Sequence, residues 1–342
     1  LGQHAGGSKE QRRVQSRILK QKYGGDAILY RRVAFGDRFW LGGEATVKKR
    51  NLGNERCQES SLSLELLTIA GVYVNWKTHR IQSEEESMRT LELKKGVVYG
   101  PIKSRRLGSS LGVNLLPGNY KLCTFNCLYC HYGWTHKHTK DTSCCLRDLP
   151  TVDQVRDALR GWLKENPDHI AYITFSGNGE PCLHPEFDRM VEMTREVRDE
   201  LAPQAKVAVL SNSTCLDDEK VMSGLKRIEV KIMKLDAGSG KMFAELNRPA
   251  EGIRLQDVVE NLRRLDDIIV QSVFVKGRVD NTTEGEVEQW IGKLCLIKPR
   301  EVQIYSIDRP SADEGLVLVE RGELSRIAER AEKICGIPVK VF

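Results

Sequence analysis

From about residue 96 onward, short apolar runs alternate with longer amphipathic ones. Residues 111–116, 169–175, 206–210, 228–235, 267–275, 301–307 and 338–342 read as strands, each a short apolar run. Between them, residues 152–164, 185–200, 217–225, 255–265, 284–297 and 322–334 carry helical spacing, and Thr151 precedes the first of these as an N-cap. Strict alternation predicts an α/β fold with a parallel sheet covered by helices. Six strand–helix units and a final strand are too few to close an eight-fold barrel. The expected architecture is therefore a partial (β/α)6 barrel of parallel strands. In such folds ligands bind at the C-terminal ends of the strands, so the residues just after each strand are the candidates for function.

Residues 1–87 read differently. Gly6-Gly7, Gly24-Gly25 and Gly42-Gly43 interrupt any long helix, and the first methionine is Met88. The expectation is a poorly structured N-terminal extension over 1–87, disordered or upstream of the true start, followed by one folded domain over 88–342. The rival reading is a small accessory domain, with residues 69–76 as a strand.

Composition narrows the class. Apolar residues make up 40% of the chain, enough to bury a substantial core. No run approaches the roughly 18 apolar residues that would span a bilayer, and no charged-then-apolar signal segment opens the sequence. A soluble, cytoplasmic protein without a membrane partner is the expectation. The net charge of +6 invites a nucleic-acid reading, but residues 1–87 carry +5 of it and the remainder only +1. Ten cysteines are too sparse in 342 residues for a small disulfide scaffold, and clustering of a few of them points to metal ligation.

Three of the ten lie in Cys123-Thr-Phe-Asn-Cys127-Leu-Tyr-Cys130, directly after the first predicted strand. Thiolates are the usual ligands of iron–sulfur clusters, and a [4Fe–4S] cube normally takes four. Three ligands on one loop leave one iron open to a substrate, as catalytic zinc sites keep one position free. The alternative is a structural zinc site, with His131, His136, His138, Cys144 or Cys145 supplying a fourth ligand, in a non-catalytic nucleic-acid-binding module.

The C-x3-C-x2-C spacing, with the aromatic Tyr129 before its last cysteine, resembles the radical S-adenosylmethionine (SAM) signature. The resemblance implies a [4Fe–4S] cluster on Cys123, Cys127 and Cys130 whose open iron chelates SAM. It also implies reductive cleavage of SAM to a 5′-deoxyadenosyl radical, hydrogen abstraction from a substrate, and an electron donor such as flavodoxin or ferredoxin. Tyr129 would then lie near the adenine. The turn after the second predicted strand, Gly177-Asn178-Gly179-Glu180, is similar to the family's Gly-Gly-Glu segment, and Glu180 would accept a hydrogen bond from the SAM amino group. Ser211 and Asn212 after the third strand resemble the segment that contacts ribose and methionine carboxylate; helix capping is the other reading of them. Asp236 after the fourth strand would serve SAM hydroxyls or the substrate. Gln271 on the fifth strand and the backbone of Ile304, Tyr305 and Ser306 on the sixth are further candidates, the latter near adenine.

Three more segments, residues 99–114, Leu246-Asn-Arg-Pro249 and Asp308-Arg-Pro-Ser-Ala-Asp313, are similar to the branch of the superfamily grouped with wyosine-type tRNA-modifying enzymes. The resemblance spans residues 97–342. It leaves the substrate as a small molecule or, alternatively, tRNA. Arg105 and Arg106 read either as an anion grip or as solvated, ion-paired surface. Cys144 and Cys145 complete no auxiliary-cluster motif, and Cys57, Cys182, Cys215, Cys295 and Cys335 read as core or incidental thiols.

Overall fold

The computed structural model describes residues 90–166 and 170–342 in full, and the backbone of four short strands before them. The chain divides into two compact units, residues 1–86 and 87–342. In the first unit, Arg32–Phe35 pairs antiparallel with Arg38–Leu41, and Thr46–Lys49 with Val72–Asn75. The rest of the expectation for that segment lies outside the described residues.

The second unit is built on one eight-stranded sheet in strictly sequential order. Its strands are β1 (Val98–Ser104), β2 (Gly108–Val113), β3 (Tyr172–Phe175), β4 (Lys206–Ser211), β5 (Val230–Lys234), β6 (Ile268–Val273), β7 (Glu301–Tyr305) and β8 (Val339–Val341). Strand β1 is antiparallel to β2; every other neighbouring pair is parallel. Six helices connect the parallel strands: α1 (Val152–Glu165), α2 (Phe187–Leu201), α3 (Glu219–Lys226), α4 (Leu255–Leu262), α5 (Glu284–Ile297) and α6 (Arg321–Cys335). The alternation read from the sequence is thus the alternation of the fold.

Two differences have local causes. The first parallel strand runs 108–113, not 111–116, because Asn114 turns its side chain back onto the Leu116 carbonyl (2.8 Å) and leaves the ladder. The edge strand β1 was not expected. It is largely exposed and contains Gly100-Pro101, so it lacks the apolar run that marks a buried strand; proline is tolerated there because edge strands leave donors unpaired.

Side chains of the parallel strands sort by their period of two. Val207, Val209, Ile268 and Val270 join the main core with the helices, whereas Ala208, Val230, Ile232 and Ile269 form a second small cluster with Leu107 from the β1–β2 hairpin. A residue at one edge of the sheet can meet β4, β5 and β6 only if the sheet curls. The Arg106 guanidinium confirms the curl, lying 4.2 Å from the ring centre of Tyr305 at the end of β7 and 5.3 Å from that of Phe342. This is the partial barrel.

Helix α1 shows how sequence sets one element. Val155, Leu159 and Leu163 recur every four residues and are fully buried. Thr151 accepts the Gln154 amide while the Gln154 side chain accepts from the Thr151 amide, closing a capping box. Thr151→Ala should cost about 1 kcal/mol and lower the melting temperature by roughly 2–4 °C; an unchanged thermal midpoint would show that the cap contributes nothing.

One cysteine reading is corrected. Cys295 on α5 and Cys335 on α6, taken as ordinary thiols, form a disulfide joining the two helices. Forty residues separate them, and nothing local in either segment marks the pairing. Among the described residues, no helix is long and apolar enough to cross a membrane.

Candidate active site

The cysteine loop lies in the connection between β2 and α1 and is fixed from several sides. Within the loop, Leu122–Cys123 pairs with Lys137–His138. Against the turn after β3, the Leu122 amide donates to the Asn178 carbonyl (3.0 Å) and the Leu122 carbonyl accepts from Glu180 (3.2 Å). Asn178 is itself fully buried and ties residue 94 to residue 117: its side-chain oxygen accepts from the Lys94 amide, and its amide group donates to the Lys94 and Pro117 carbonyls. Gly177 and Gly179 adopt φ of +135° and +140°, where only glycine is at ease. A Cβ at Gly179 would sit 1.7 Å from the Leu122 carbonyl oxygen.

The two segments noticed after the fourth and sixth predicted strands also close on this loop. A π-turn over Phe243–Asn247 ends in Arg248, in the left-handed region, and presents the Leu246, Asn247 and Arg248 carbonyls to the amides of Leu128 and Asn126. Such turns are frequent at functional positions. From beyond β7, the Ala312 and Asp313 amides donate to the Cys130 and Leu128 carbonyls (3.1 and 2.9 Å).

The three sulfurs are each approached by N–H groups. Cys123 faces the Phe125 amide (3.4 Å) and Asn212 Nδ2 (3.5 Å), Cys127 faces Asn247 Nδ2 (3.6 Å), and Cys130 faces Lys121 Nζ (3.0 Å). Burial pushes the Cys123 and Cys127 thiols up to about 12, against the lowering effect of Lys121. Free thiols there hold their protons, whereas a coordinated metal removes them outright. Lys121 is 2% exposed, and among the described residues no carboxylate pairs with it. Burial opposes its charge, but the surrounding cysteines raise its pKa above the ordinary value. A buried ammonium facing sulfurs suits a site that carries negative charge. Asn247, 1% exposed, has an Oδ1 with no partner among the described residues, an acceptor left for a ligand donor. This donor set fits an iron–sulfur cluster with a bound organic ligand. Among the described residues, no three His, Cys, Asp or Glu side chains gather at a single-ion position.

Most of the other sequence candidates converge here. Glu180, 1% exposed, accepts from the Cys182 amide (3.0 Å), Ser211 Oγ (2.9 Å) and the Asn212 amide (2.6 Å). Burial nevertheless raises its pKa. Asn212 continues from Glu180 to the loop, donating to Thr124 Oγ1 (2.7 Å) as well as approaching Cys123. Tyr129 donates its hydroxyl to Asp236 Oδ2, which also accepts from Asn247 (2.9 Å); Asp236 Oδ1 accepts from the Val273 amide (2.9 Å) and pairs with Lys234 (2.8 Å). Lys234 in turn donates to the Tyr305 hydroxyl (3.1 Å). Phe125, Asn212, Lys234, Asp236 and Asn247 line a narrow void beside the loop.

The remaining candidates stand apart from this network. Ile304 is a core residue within β7, and its carbonyl already accepts from Phe342 (3.0 Å). Gln271 bonds Gln303 (3.1 Å), and Ser306 donates to the Phe274 carbonyl (2.7 Å). Arg105 pairs with Asp308, whereas Arg106 stacks on Tyr305 with its Nε unpartnered among the described residues. Lys121 and Asn247 were not singled out by sequence; the unusual Leu246-Asn-Arg-Pro249 segment was the one available signal for Asn247.

Comparison with known proteins agrees with this geometry. The radical SAM superfamily model matches residues 120–285, which contain the cysteine loop and strands β3 to β6. A UPF0026 protein of Synechocystis is 31% identical over 217 residues, covering 62% of this chain and 76% of that protein. A UPF0026 protein of Methanocaldococcus jannaschii is 27% identical over 223 residues, covering 64% of this chain and 65% of that one. A protein named GTPase Obg from Brachyspira hyodysenteriae is 28% identical over 254 residues, 73% of this chain, yet the chain spans only 35% of its length. Among solved structures, a radical SAM methyltransferase from Sphaerobacter thermophilus shares the fold with a TM-score of 0.50 at 16% identity, covering 68% of this chain and 66% of that one. Members of the superfamily are enzymes that use a [4Fe–4S] cluster and SAM, and the chain, with the UPF0026 proteins, belongs to the radical SAM superfamily.

Proposed function

We propose that Cys123, Cys127 and Cys130 hold the [4Fe–4S] cluster and leave one iron for SAM, with hydrogen abstraction from a substrate as the outcome. When bound, the cluster supplies one-electron reductive cleavage of SAM. The observation that carries the reading is that each of the three loop sulfurs faces an N–H or ammonium donor, from Asn212, Asn247 and Lys121, beyond the C-terminal ends of the parallel strands.

The chain's own residues then divide the work. The Gly177-Asn178-Gly179 turn brings backbone close to the ligand, and Glu180 takes the SAM amino group. Its orientation is already set by Ser211 and Asn212, which lie on the side of the ribose and carboxylate. Asn247 Oδ1 offers an acceptor to ligand hydroxyls, while Asp236, its oxygens already engaged, would hold Asn247 and Tyr129 in place, the latter toward the adenine. Ile304 contributes only as the buried residue beneath the end of β7.

The same reading makes residues 88–342 the catalytic domain and 1–87 an extension, in a cytoplasmic protein served by a flavodoxin or ferredoxin. The substrate is a small molecule or tRNA, and the near-neutral charge of 88–342 favours the former.

Anaerobic reconstitution tests the reading. The expected result is about four irons and four sulfides per chain, with 5′-deoxyadenosine formed after dithionite reduction. Stoichiometric zinc and no SAM cleavage would point instead to the zinc-binding module.

A further inference from the structure

Lys121 is an unusual buried charge. Its side chain is almost wholly enclosed, and its ammonium spends its donors on Cys130 Sγ (3.0 Å) and the Gly133 carbonyl (2.8 Å). Lys234, the other largely buried lysine beside the loop network, has the carboxylate of Asp236 and the phenol of Tyr305 next to its ammonium. Lys121 has neither among the described residues. A buried cation needs a compensating anion. The groups in reach that can carry negative charge are the loop cysteines and whatever they hold.

The position is also rigid. Lys121 sits between Tyr120 and the paired residues Leu122–Cys123, its amide donates to His136 Nδ1 (3.2 Å), and its carbonyl accepts from Lys137 (3.0 Å). The backbone that carries the ammonium is pinned, and the ammonium itself is enclosed. Its charge is therefore a fixed part of the site's field, little screened by salt.

We infer that Lys121 is a positioning residue for electron entry: its ammonium, hydrogen-bonded to the Cys130 sulfur, raises the reduction potential of the cluster. The inference rests on the cluster reading given above. The step is a one-electron transfer. A low-potential carrier protein of the flavodoxin or ferredoxin class, or dithionite in vitro, is oxidised by one electron, and the cluster gains that electron and one unit of negative charge. An adjacent fixed cation favours the more negative, reduced form, and charge and hydrogen bonds at the sulfurs are among the terms that set such potentials.

The test is a redox titration of the reconstituted full chain, following the electron paramagnetic resonance signal of the reduced cluster. Lys121→Met removes charge and hydrogen bond, Lys121→Gln keeps a donor without charge, and Lys121→Arg keeps the charge. The Met variant should be at least tenfold harder to reduce, a shift of about 59 mV to lower potential for one electron. The Gln variant should move in the same direction, and the Arg variant should restore most of the original value. A potential unchanged in both neutral variants, with iron content equal to the parent, overturns the inference. So does failure of both neutral variants to take up iron, since Lys121 would then be needed for assembly and not for tuning. Failure of the parent protein itself to assemble a cluster counts against the cluster reading and is read from iron content before any titration.

Discussion

Cys127→Ala should reduce iron incorporation to background and eliminate 5′-deoxyadenosine formation altogether. Cys127 is 8% exposed, at the centre of the loop, and its sulfur faces Asn247 Nδ2. Two remaining thiolates cannot wrap one side of a cube that takes four ligands. The loop backbone should survive the change, because its neighbours hold it through main-chain bonds at Asn126, Leu128 and Cys130 that do not involve the Cys127 side chain. Iron analysis and chromatography of SAM products are the measurements, with a circular dichroism spectrum and thermal midpoint close to the parent as the control. A variant that assembles a full cluster and still cleaves SAM would remove Cys127 from the ligand set. Cys123→Ala and Cys130→Ala should behave alike, so the three together distinguish a ligand triad from one sensitive core position.

Gly179→Ala should be among the most damaging single-methyl changes in the chain. Its φ of +140° is nearly reserved for glycine, and the added carbon meets the Leu122 carbonyl oxygen at 1.7 Å. Strain of this kind costs roughly 3 kcal/mol or more once a backbone clash is added. At about 2–4 °C per kcal/mol for a domain of this size, the melting temperature should fall by roughly 6–12 °C. Gly161→Ala supplies the opposite sign. That glycine is exposed on helix α1 with nothing within 4 Å of the new carbon, so alanine should stabilise by roughly 0.5–1 kcal/mol. Thermal unfolding of both variants decides the matter; equal and small shifts would mean that the turn after β3 relaxes freely around the added methyl.

The order of elements was legible because each carries its own periodicity. Residues 284–297 were read as a helix and form one with those bounds, and the strand at 206–211 differs from its reading by a single residue. The cysteine triad and the Gly177–Glu180 turn were legible because their spacing is local. What escaped has a common cause: it depends on partners distant in sequence. The edge strand β1 is defined by pairing with β2 and not by apolar character. The Cys295–Cys335 disulfide exists because α5 and α6 pack side by side. Lys121 reads as one more lysine until the fold buries it against Cys130, and Asn247 acquires its place only when the π-turn docks on the loop. Ile304 was taken from the family's order of strands; its carbonyl accepts from Phe342, just past β8.

The amides of Ala312 and Asp313, which close over Cys130 and Leu128, bear on the timing of maturation. They emerge from the ribosome about 180 residues after the last cysteine of the loop, a delay of roughly 10–40 s at ordinary rates of synthesis. Until then the nascent chain has its thiols but not the final clasp over them. Iron delivered to the unfinished polypeptide would meet an open loop, and the main-chain clasp over Cys130 and Leu128 closes only once residues 312 and 313 have been made.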